Sequence, residues 1–192
     1  MQRLRISHRQ SNNLLGGLVI IVALYALLMP FLPMLTFWVR SINPEVQASM
    51  SRLITSEDGV VEGNRLIIPN ILVDEEIVTG DSLSVINDGG VWLRPASAQP
   101  DEAGNIILAG HRFTYNQPSG PLYHLDKVAV GDEIGLHWEG EMRRYEVVDR
   151  MTVTEDSLGI EQQTGENKLT IYTCTPLLTA ENRLVIIAEE VL

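Results

Sequence analysis

The chain has 192 residues, of which 25 are acidic and 14 are lysine or arginine, so its formal net charge is −11 at pH 7. That length suits one domain plus an appended segment, and the acidic balance argues against a nucleic-acid-binding protein, which needs basic side chains to neutralise phosphates. The single cysteine excludes an intramolecular disulfide, and no cysteine–histidine cluster has the spacing of a zinc site.

The first predicted element is a long apolar helix at residues 14–39. No charged residue interrupts this segment, and a helix of its length crosses the ~30 Å hydrocarbon core of a bilayer. Pro30 and Pro33 predict a kink, or an end of the helix near Met29. A cleaved signal peptide is the alternative, but its apolar core is shorter, at ~7–15 residues. We therefore predict a retained transmembrane anchor.

The arginines around this segment predict its orientation. Arg3, Arg5 and Arg9 precede the span, and Arg40 follows it. Positive charge is enriched on the cytoplasmic side of a membrane. We therefore predict a single-pass protein of the cell membrane with residues 1–13 in the cytoplasm and its folded domain outside the cell.

A polar segment at residues 40–64 separates the apolar helix from the rest of the chain. Its prolines and glycines predict a stalk or linker, with a short helix around Glu45–Thr55. From Arg65 onward, short apolar runs alternate with Gly, Pro, Asn and Asp, a pattern typical of β-strands. We therefore place one folded domain at residues 65–192.

Eight apolar runs in this domain predict strands. They lie at Arg65–Ile68, Ile71–Val73, Val91–Leu93, Asn105–Ala109, Glu133–Trp138, Met142–Val153, Lys168–Thr173 and Arg183–Glu190. The sequence Glu139-Gly140-Glu141 predicts a hairpin between two of them, and short helices are predicted at Ser119–Leu125 and Ser157–Gln162. Many short strands with few helical periods predict an all-β barrel or sandwich around one core.

Cys174 follows a predicted strand and precedes a short loop that leads to Arg183. If the two flanking strands pair antiparallel, the thiol and the guanidinium lie close together. A nearby cation favours the reactive thiolate and can also stabilise an oxyanion. The alternatives are a buried cysteine that only fills space and a solvated arginine at a strand end, which are the commoner cases.

His111 is the candidate for proton transfer. It follows an apolar strand and Gly110, and it opens an irregular loop, where functional side chains are often found. His124 and His137 lie within apolar segments and are predicted to be structural. Together His111, Cys174 and Arg183 fit the roles of acid/base, nucleophile and oxyanion cation, although sequence spacing alone does not bring them together.

Several segments resemble motifs of the sortase family, in the family order. Thr170–Cys174 resembles the T-L-x-T-C strand of sortases, with Ile171 in place of leucine. Further similar segments are Cys174-Thr175-Pro176 with Asn182–Val185 for the C-T-P…R-L-V ending, Leu108–Arg112 for L-x-G-H-R, Leu122–Lys127 with Gly131-Asp132, and Arg65–Pro69 through Ile77–Gly80. The resemblance covers residues 65–190.

This resemblance implies a closed eight-stranded sortase-type β-barrel with short helices, preceded by one N-terminal transmembrane helix. It also implies a cysteine transpeptidase that cleaves a C-terminal sorting signal of the L-P-x-T-G kind through a thioacyl intermediate. In that reaction Cys174 is the nucleophile and Arg183 binds the oxyanion or orients the substrate. His111 protonates the leaving amine and deprotonates the incoming one, and Thr173 is expected to support the site.

The partners that the resemblance implies are surface proteins with a sorting signal and an amine acceptor, either a peptidoglycan precursor or a pilin lysine. The spacing from C-T-P to Arg183 favours classes C, D and E over class A, and residues 41–63 lack the Asp-Pro-aromatic lid of many class C sortases. We predict no cofactor and no metal. Some sortases bind calcium, but Glu155, Asp156 and Glu161 form a sequence pattern typical of a solvated acidic loop.

Two other functions stay open from the sequence. A cysteine hydrolase would use the same residues but transfer the acyl group to water, and added amines would not change its product. A non-catalytic surface β module would hold Cys174 as a buried residue, which alkylating reagents would modify only slowly.

Overall fold

The computed structural model describes residues 8–55, 61–114 and 117–191. Three α-helices come first, α1 His8–Leu28, α2 Leu32–Ser41 and α3 Pro44–Thr55. The strands are β1 Arg65–Ile68, β2 Val73–Val78, β3 Val91–Leu93, β4 Asn105–Ala109, β5 Glu133–Trp138, β6 Glu141–Thr154, β7 Lys168–Thr175 and β8 Asn182–Glu190. Short 3-10 helices lie at Met29–Phe31, Pro69–Ile71, Leu83–Ile86, Leu125–Lys127 and Leu158–Glu161.

The eight strands close into a barrel with the neighbour order β1-β2-β3-β4-β7-β8-β6-β5. The pairs β2–β3 and β4–β7 are parallel, and the other pairs are antiparallel. Apolar side chains from every strand fill one core, for example the fully buried Leu66, Ile134 and Ile171. Burial of such side chains is the main favourable contribution to folding. The closed eight-stranded barrel predicted from the family resemblance is confirmed.

The hairpin predicted between β5 and β6 is present. Trp138 pairs with Glu141, so two residues make the turn. Glu139 and Gly140 have φ values of 50° and 91°. Two-residue hairpin turns with positive φ match the twist of the flanking strands, and glycine adopts such φ values without strain.

Two local predictions are wrong in position. The strand predicted at Ile71–Val73 is β2, which begins only after Leu72 has turned with a φ of 56°. Residues 74–76 of this strand are acidic and partly or fully exposed, between two buried apolar residues. The strand therefore lacks the apolar alternation from which strands are predicted. The helix predicted at Ser119–Leu125 is instead a turn followed by the 3-10 helix Leu125–Lys127.

The long apolar helix is broken where Pro30 and Pro33 predicted a break. In the described part of the chain, no single helix has both the length and the apolar composition needed to cross a membrane. Asn12–Leu28 and Leu32–Ser41, which meet at a bend of 54°, satisfy that test together by length and composition.

Helices α2 and α3 lie against the barrel. The Phe37 ring of α2 stacks on His124, with ring centroids 4.0 Å apart. Ile54 of α3 is buried, and a Cβ added to Gly135 of β5 would lie 2.8 Å from its side chain. The helix predicted around Glu45–Thr55 is therefore confirmed, and it packs on the folded domain.

Candidate active site

Strands β7 and β8 place Cys174 directly beside Arg183. The two strands pair antiparallel from Lys168 to Thr175, and their register sets Cys174 opposite Arg183. Residues opposite each other in such a pair lie within side-chain contact distance. The proximity predicted from the short loop between the two strands is therefore confirmed.

Strand β4 brings His111 to the same end of β7. β4 pairs parallel with β7, and the last pair of the ladder is Ala109 with Tyr172. His111 and Cys174 each lie two residues beyond that pair. Because paired strands are ~4.8 Å apart, the backbone of His111 lies near that of Cys174.

Thr173 fixes this junction between the two strand ends. Its side chain is 1% exposed, and its Oγ1 donates a hydrogen bond of 2.8 Å to the carbonyl oxygen of Gly110. The Gly110 amide in turn donates to the Tyr172 carbonyl oxygen at 3.3 Å. Thr173 therefore holds the backbone just before His111 against the backbone just before Cys174.

All three candidate residues line one groove of about 330 Å³. Its other lining residues are Leu83, Trp92, Arg94, Ala109, Gly110, Glu155, Ser157, Ile160, Glu161, Tyr172 and Thr173. Cys174 is a free thiol and is partly exposed. A partly exposed cysteine that lines a groove disfavours the alternative of a cysteine that only fills the core.

His124 and His137 have packing roles, as predicted. His124 stacks on Phe37, and its Nε2 lies 3.3 Å from the Pro33 carbonyl oxygen. His137 is buried, with Nδ1 2.6 Å from the Gly63 carbonyl oxygen. Neither residue lines the groove, whereas His111 does.

Burial lowers the pKa of His111 below its ordinary value of 6.5. The cause is loss of hydration, which disfavours the charged imidazolium. The imidazole is therefore neutral at neutral pH and able to accept a proton.

The loop after His111 folds back closely on the histidine backbone. The Leu122 amide donates to the His111 carbonyl oxygen at 3.2 Å. A Cβ added to Gly120 would lie 2.4 Å from the same oxygen and 2.8 Å from the Arg112 carbonyl oxygen. Only glycine allows this approach, so Gly120 is part of what positions His111.

Gly120→Ala is accordingly expected to lower the free energy of unfolding by about 1–3 kcal/mol, because backbone atoms must move to admit the methyl group. Urea unfolding of the full-length chain measures the change. Gly165→Ala is the matched control, since a Cβ there meets nothing within 4 Å. Equal unfolding midpoints for the two variants would show that the loop accommodates a side chain at position 120.

Arg183 is held at the rim of the groove. Its Nη1 donates to the carbonyl oxygens of Ala180 and Asn182, at 2.9 and 3.0 Å, and its Nη2 donates to Glu155 Oε2 at 3.1 Å. The Glu155 side chain is 63% exposed. Solvent-exposed ion pairs contribute only about 0–1 kcal/mol, so this ion pair can open at small cost.

Sequence reasoning did not single out Arg112, which joins the histidine segment to the cysteine segment. Its Nη1 donates to Thr175 Oγ1 at 3.0 Å and its Nη2 to Asp126 Oδ1 at 2.8 Å. Its Nε also donates to the Tyr123 carbonyl oxygen at 3.2 Å. The signal available in the sequence was the position of this arginine directly after His111.

The expectation of a solvated acidic loop is wrong for Glu161. Its side chain is 17% exposed and is paired with Arg94 Nε at 2.9 Å. Glu155 and Asp156 are exposed, as expected. Among residues 8–55, 61–114 and 117–191, no group of three or more His, Cys, Asp or Glu side chains is arranged to hold a metal ion. The absence of a cofactor remains a prediction.

Comparison with known proteins identifies relatives of this chain. The family model described as the sortase domain matches residues 66–191. Sortase SrtE2 of Streptomyces coelicolor is 31% identical over 135 residues, which are 62% of this chain and 50% of the relative. Sortase D of Bacillus subtilis is 31% identical over 135 residues, which are 70% of this chain and 64% of that protein. The chain thus spans about half the length of the first of these relatives.

Solved structures show the same fold. Sortase C1 of Streptococcus agalactiae superposes with a TM-score of 0.61 and 26% identity, covering 79% of this chain and 78% of that one. The sortase D5 transpeptidase of Clostridium perfringens superposes with a TM-score of 0.59 and 23% identity, covering 81% and 94%. The second likeness concerns the fold alone.

Proposed function

Because this chain belongs to the sortase family, we propose that it is a cysteine transpeptidase that cleaves a C-terminal sorting signal of the L-P-x-T-G kind and transfers the acyl part to an amine. The observation that carries the proposal is the meeting of His111, Cys174 and Arg183 in one groove. These side chains provide the proton-transfer group, the nucleophile and the oxyanion cation that such a reaction requires.

The first half of the proposed reaction forms a thioester. His111 accepts the proton of the Cys174 thiol, and the resulting thiolate attacks a backbone carbonyl carbon of the sorting signal. The carbonyl oxygen becomes an oxyanion, which the Arg183 guanidinium stabilises. The C–N bond then breaks, and His111 returns its proton to the leaving amine. The product is an acyl group joined to Sγ.

The second half transfers the acyl group. An incoming amine attacks the thioester carbon, and His111 takes the proton that this amine loses. When the C–S bond breaks, the sulfur leaves as the thiolate and recovers a proton from His111. The new bond is an amide, so the peptide bond broken in the first half is replaced by another of similar energy.

We propose that this reaction takes place outside the cell, on a membrane-anchored protein. Residues 14–39 form the anchor, bent after Leu28, and residues 1–13 lie in the cytoplasm. The large apolar side chains of α1 and α2 are mostly exposed, as expected for helices that face lipid rather than water. The three arginines before the span and the apolar length of the bent pair support the same placement.

The proposed partners follow from the chemistry of the two half-reactions. The acyl donor is a surface protein with a sorting signal, and the acceptor is a peptidoglycan precursor or a pilin lysine, since both present an unhindered amine. The curated relatives of this chain are sortases named for classes E and D, which supports assignment among classes C, D and E.

The test is to incubate the detergent-solubilised full-length chain with a panel of L-P-x-T-G-like peptides and to analyse the protein by mass spectrometry. We expect a mass increase on Cys174 equal to the N-terminal part of the peptide. Adding small primary amines should convert the released product from the free acid to the amide. A panel that yields no adduct would contradict the proposal, and free acid at every amine concentration would identify a hydrolase instead.

A further inference from the structure

One wall of the groove is built by the loop between β6 and β7, residues 155–167. Glu155, Ser157, Ile160 and Glu161 of this loop line the groove. The 3-10 helix Leu158–Glu161 forms its centre. A loop of this length has many accessible conformations, so contacts outside the loop decide whether the wall exists before a peptide binds.

Glu161 connects the loop to β7 and to the residue that follows β3. Its carboxylate accepts hydrogen bonds from Arg94 Nε at 2.9 Å and Nη2 at 3.3 Å, one on each oxygen. Oε1 also accepts the hydroxyl hydrogen bond of Tyr172 at 2.5 Å. Arg94 directly follows β3, and Tyr172 lies two residues before Cys174. The Arg94 guanidinium also lies 4.2 Å from the Trp92 ring centroid, which limits its own freedom.

The loop residues on either side of Glu161 are held by neutral amide groups. Asn105 is fully buried, and its Nδ2 donates to the carbonyl oxygens of Ile160 and Gln162, at 3.1 and 3.2 Å. Its Oδ1 accepts the Thr170 hydroxyl hydrogen bond at 2.7 Å. Gln163 Oε1 accepts a hydrogen bond from the backbone N–H of Asn105 at 3.0 Å. The loop is thus joined to β4 through residues 160–163, and Glu161 joins it to Tyr172 of β7 and to Arg94.

The ionisation states needed for the contacts of Glu161 hold over a wide pH range. Burial raises the pKa of Glu161, but the hydrogen bonds from Arg94 and Tyr172 outweigh burial, so the pKa lies below its ordinary value. Burial and the hydrogen bond to Glu161 raise the pKa of Tyr172 far above its ordinary value. Glu161 therefore stays ionised and Tyr172 keeps its proton at neutral pH.

We propose that Glu161 is a positioning residue that holds the loop 155–167 over the groove, so that the wall contacted by a substrate peptide is formed before the peptide arrives. The inference rests on the proposed function, because it concerns binding of that peptide. A preformed wall removes the ordering cost of the loop from the binding step. Loss of the preformed wall should therefore weaken binding of the peptide while leaving the chemistry at Cys174 nearly unchanged.

Glu161→Gln keeps the size of the side chain and removes its charge. In the full-length chain we expect KM for a sorting peptide to rise about five- to tenfold, with kcat changed by less than about twofold. Arg94→Lys keeps the charge but loses the two-pronged geometry, so it should raise KM by a smaller factor. It also provides the test if Glu161→Gln does not fold.

Glu190→Gln is the matched control. Glu190 is 17% exposed, like Glu161, and pairs with Arg143 at 3.1 Å, but it does not line the groove. Its carboxylate also accepts a hydrogen bond from Asn167 Nδ2 at 2.8 Å, at the last residue of the loop and outside residues 157–164. Both variants lose one half-buried ion pair and should show similar shifts in the unfolding midpoint. Only Glu161→Gln should change KM. If the role of Glu161 were purely structural, the two variants would have the same KM.

Hydrogen exchange separates this inference from the proposed function. Without any peptide, the amides of residues 157–164 should exchange at least about fivefold faster in Glu161→Gln than in wild type and at the wild-type rate in Glu190→Gln. If the wild-type protein forms no thioester but exchange changes in this way, the proposed function fails and the positioning role of Glu161 stands. Equal exchange in both variants, or an unchanged KM in Glu161→Gln, would overturn the inference.

Discussion

Cys174→Ala is expected to abolish both peptide cleavage and amide formation, a loss on the order of 10⁴-fold or more in kcat/KM. Cys174 is the one thiol of the chain, and it lies in the groove beside His111 and Arg183. The proposed reaction forms its covalent intermediate on this sulfur, so no other side chain replaces it. Cleavage of a fluorogenic sorting peptide and mass spectrometry of the protein measure the two losses.

Measurements of stability and peptide binding show whether the loss of activity comes from the missing nucleophile or from a damaged fold. The cysteine side chain is partly exposed, so we expect Cys174→Ala to change the free energy of unfolding by no more than about 1 kcal/mol. Cys174→Ser keeps the shape of the site with a far less acidic hydroxyl, so it should bind the peptide but cleave almost none of it. An adduct that still forms in Cys174→Ala, or peptide cleavage by this variant at the wild-type rate, would refute the role of this residue.

The part of the site that the sequence predicted best is the part formed by local pairing. Cys174 and Arg183 flank one short loop, and the alternating pattern of both strands predicted that they pair antiparallel. Such a pairing leaves little freedom in register, because a shift by one residue would turn the apolar side chains of both strands to the wrong face. The observed register, with Cys174 opposite Arg183, follows from this constraint.

The position of His111 depends on a pairing that the sequence pattern alone does not reveal. It requires β4 to lie parallel to β7, and the Thr173–Gly110 hydrogen bond that secures this pair joins residues 63 positions apart. Apolar runs such as those of β4 and β7 predict burial but not which strand is the neighbour. The likeness of Leu108–Arg112 and Thr170–Cys174 to sortase motifs is what implied that His111 and Cys174 belong to one site.

Glu161 was misjudged for a related reason. Its neighbours in sequence are polar and acidic, which is typical of a solvated loop. Of its partners, Tyr172 lies on β7, and Arg94 follows β3 and is 67 residues away. A carboxylate whose environment is set by such distant residues cannot be distinguished from a solvated one by local composition.

His111→Gln is expected to lower kcat/KM by about 10²- to 10⁴-fold, the range in which general acid–base groups contribute. Glutamine keeps a polar side chain but cannot carry the proton between the thiol, the leaving amine and the incoming amine. Peptide cleavage at fixed enzyme concentration measures the loss. His124→Gln is the matched control, because burial lowers the pKa of both histidines but His124 lies outside the groove. Equal losses in the two variants would contradict a catalytic role for His111.

The lowered pKa of His111 also predicts how stability depends on pH. The unfolded chain takes up a proton at this histidine near its ordinary pKa of ~6.5, whereas the folded protein does so only at lower pH. The unfolded state therefore binds more protons as the pH falls through ~6.5, and the wild-type protein loses stability there. His111→Gln lacks this linkage, so the stability difference between wild type and variant should shift in favour of the variant between pH 7.5 and pH 5. Urea unfolding at both pH values measures it, and a difference that does not change with pH would show that His111 titrates alike in the folded and unfolded chains.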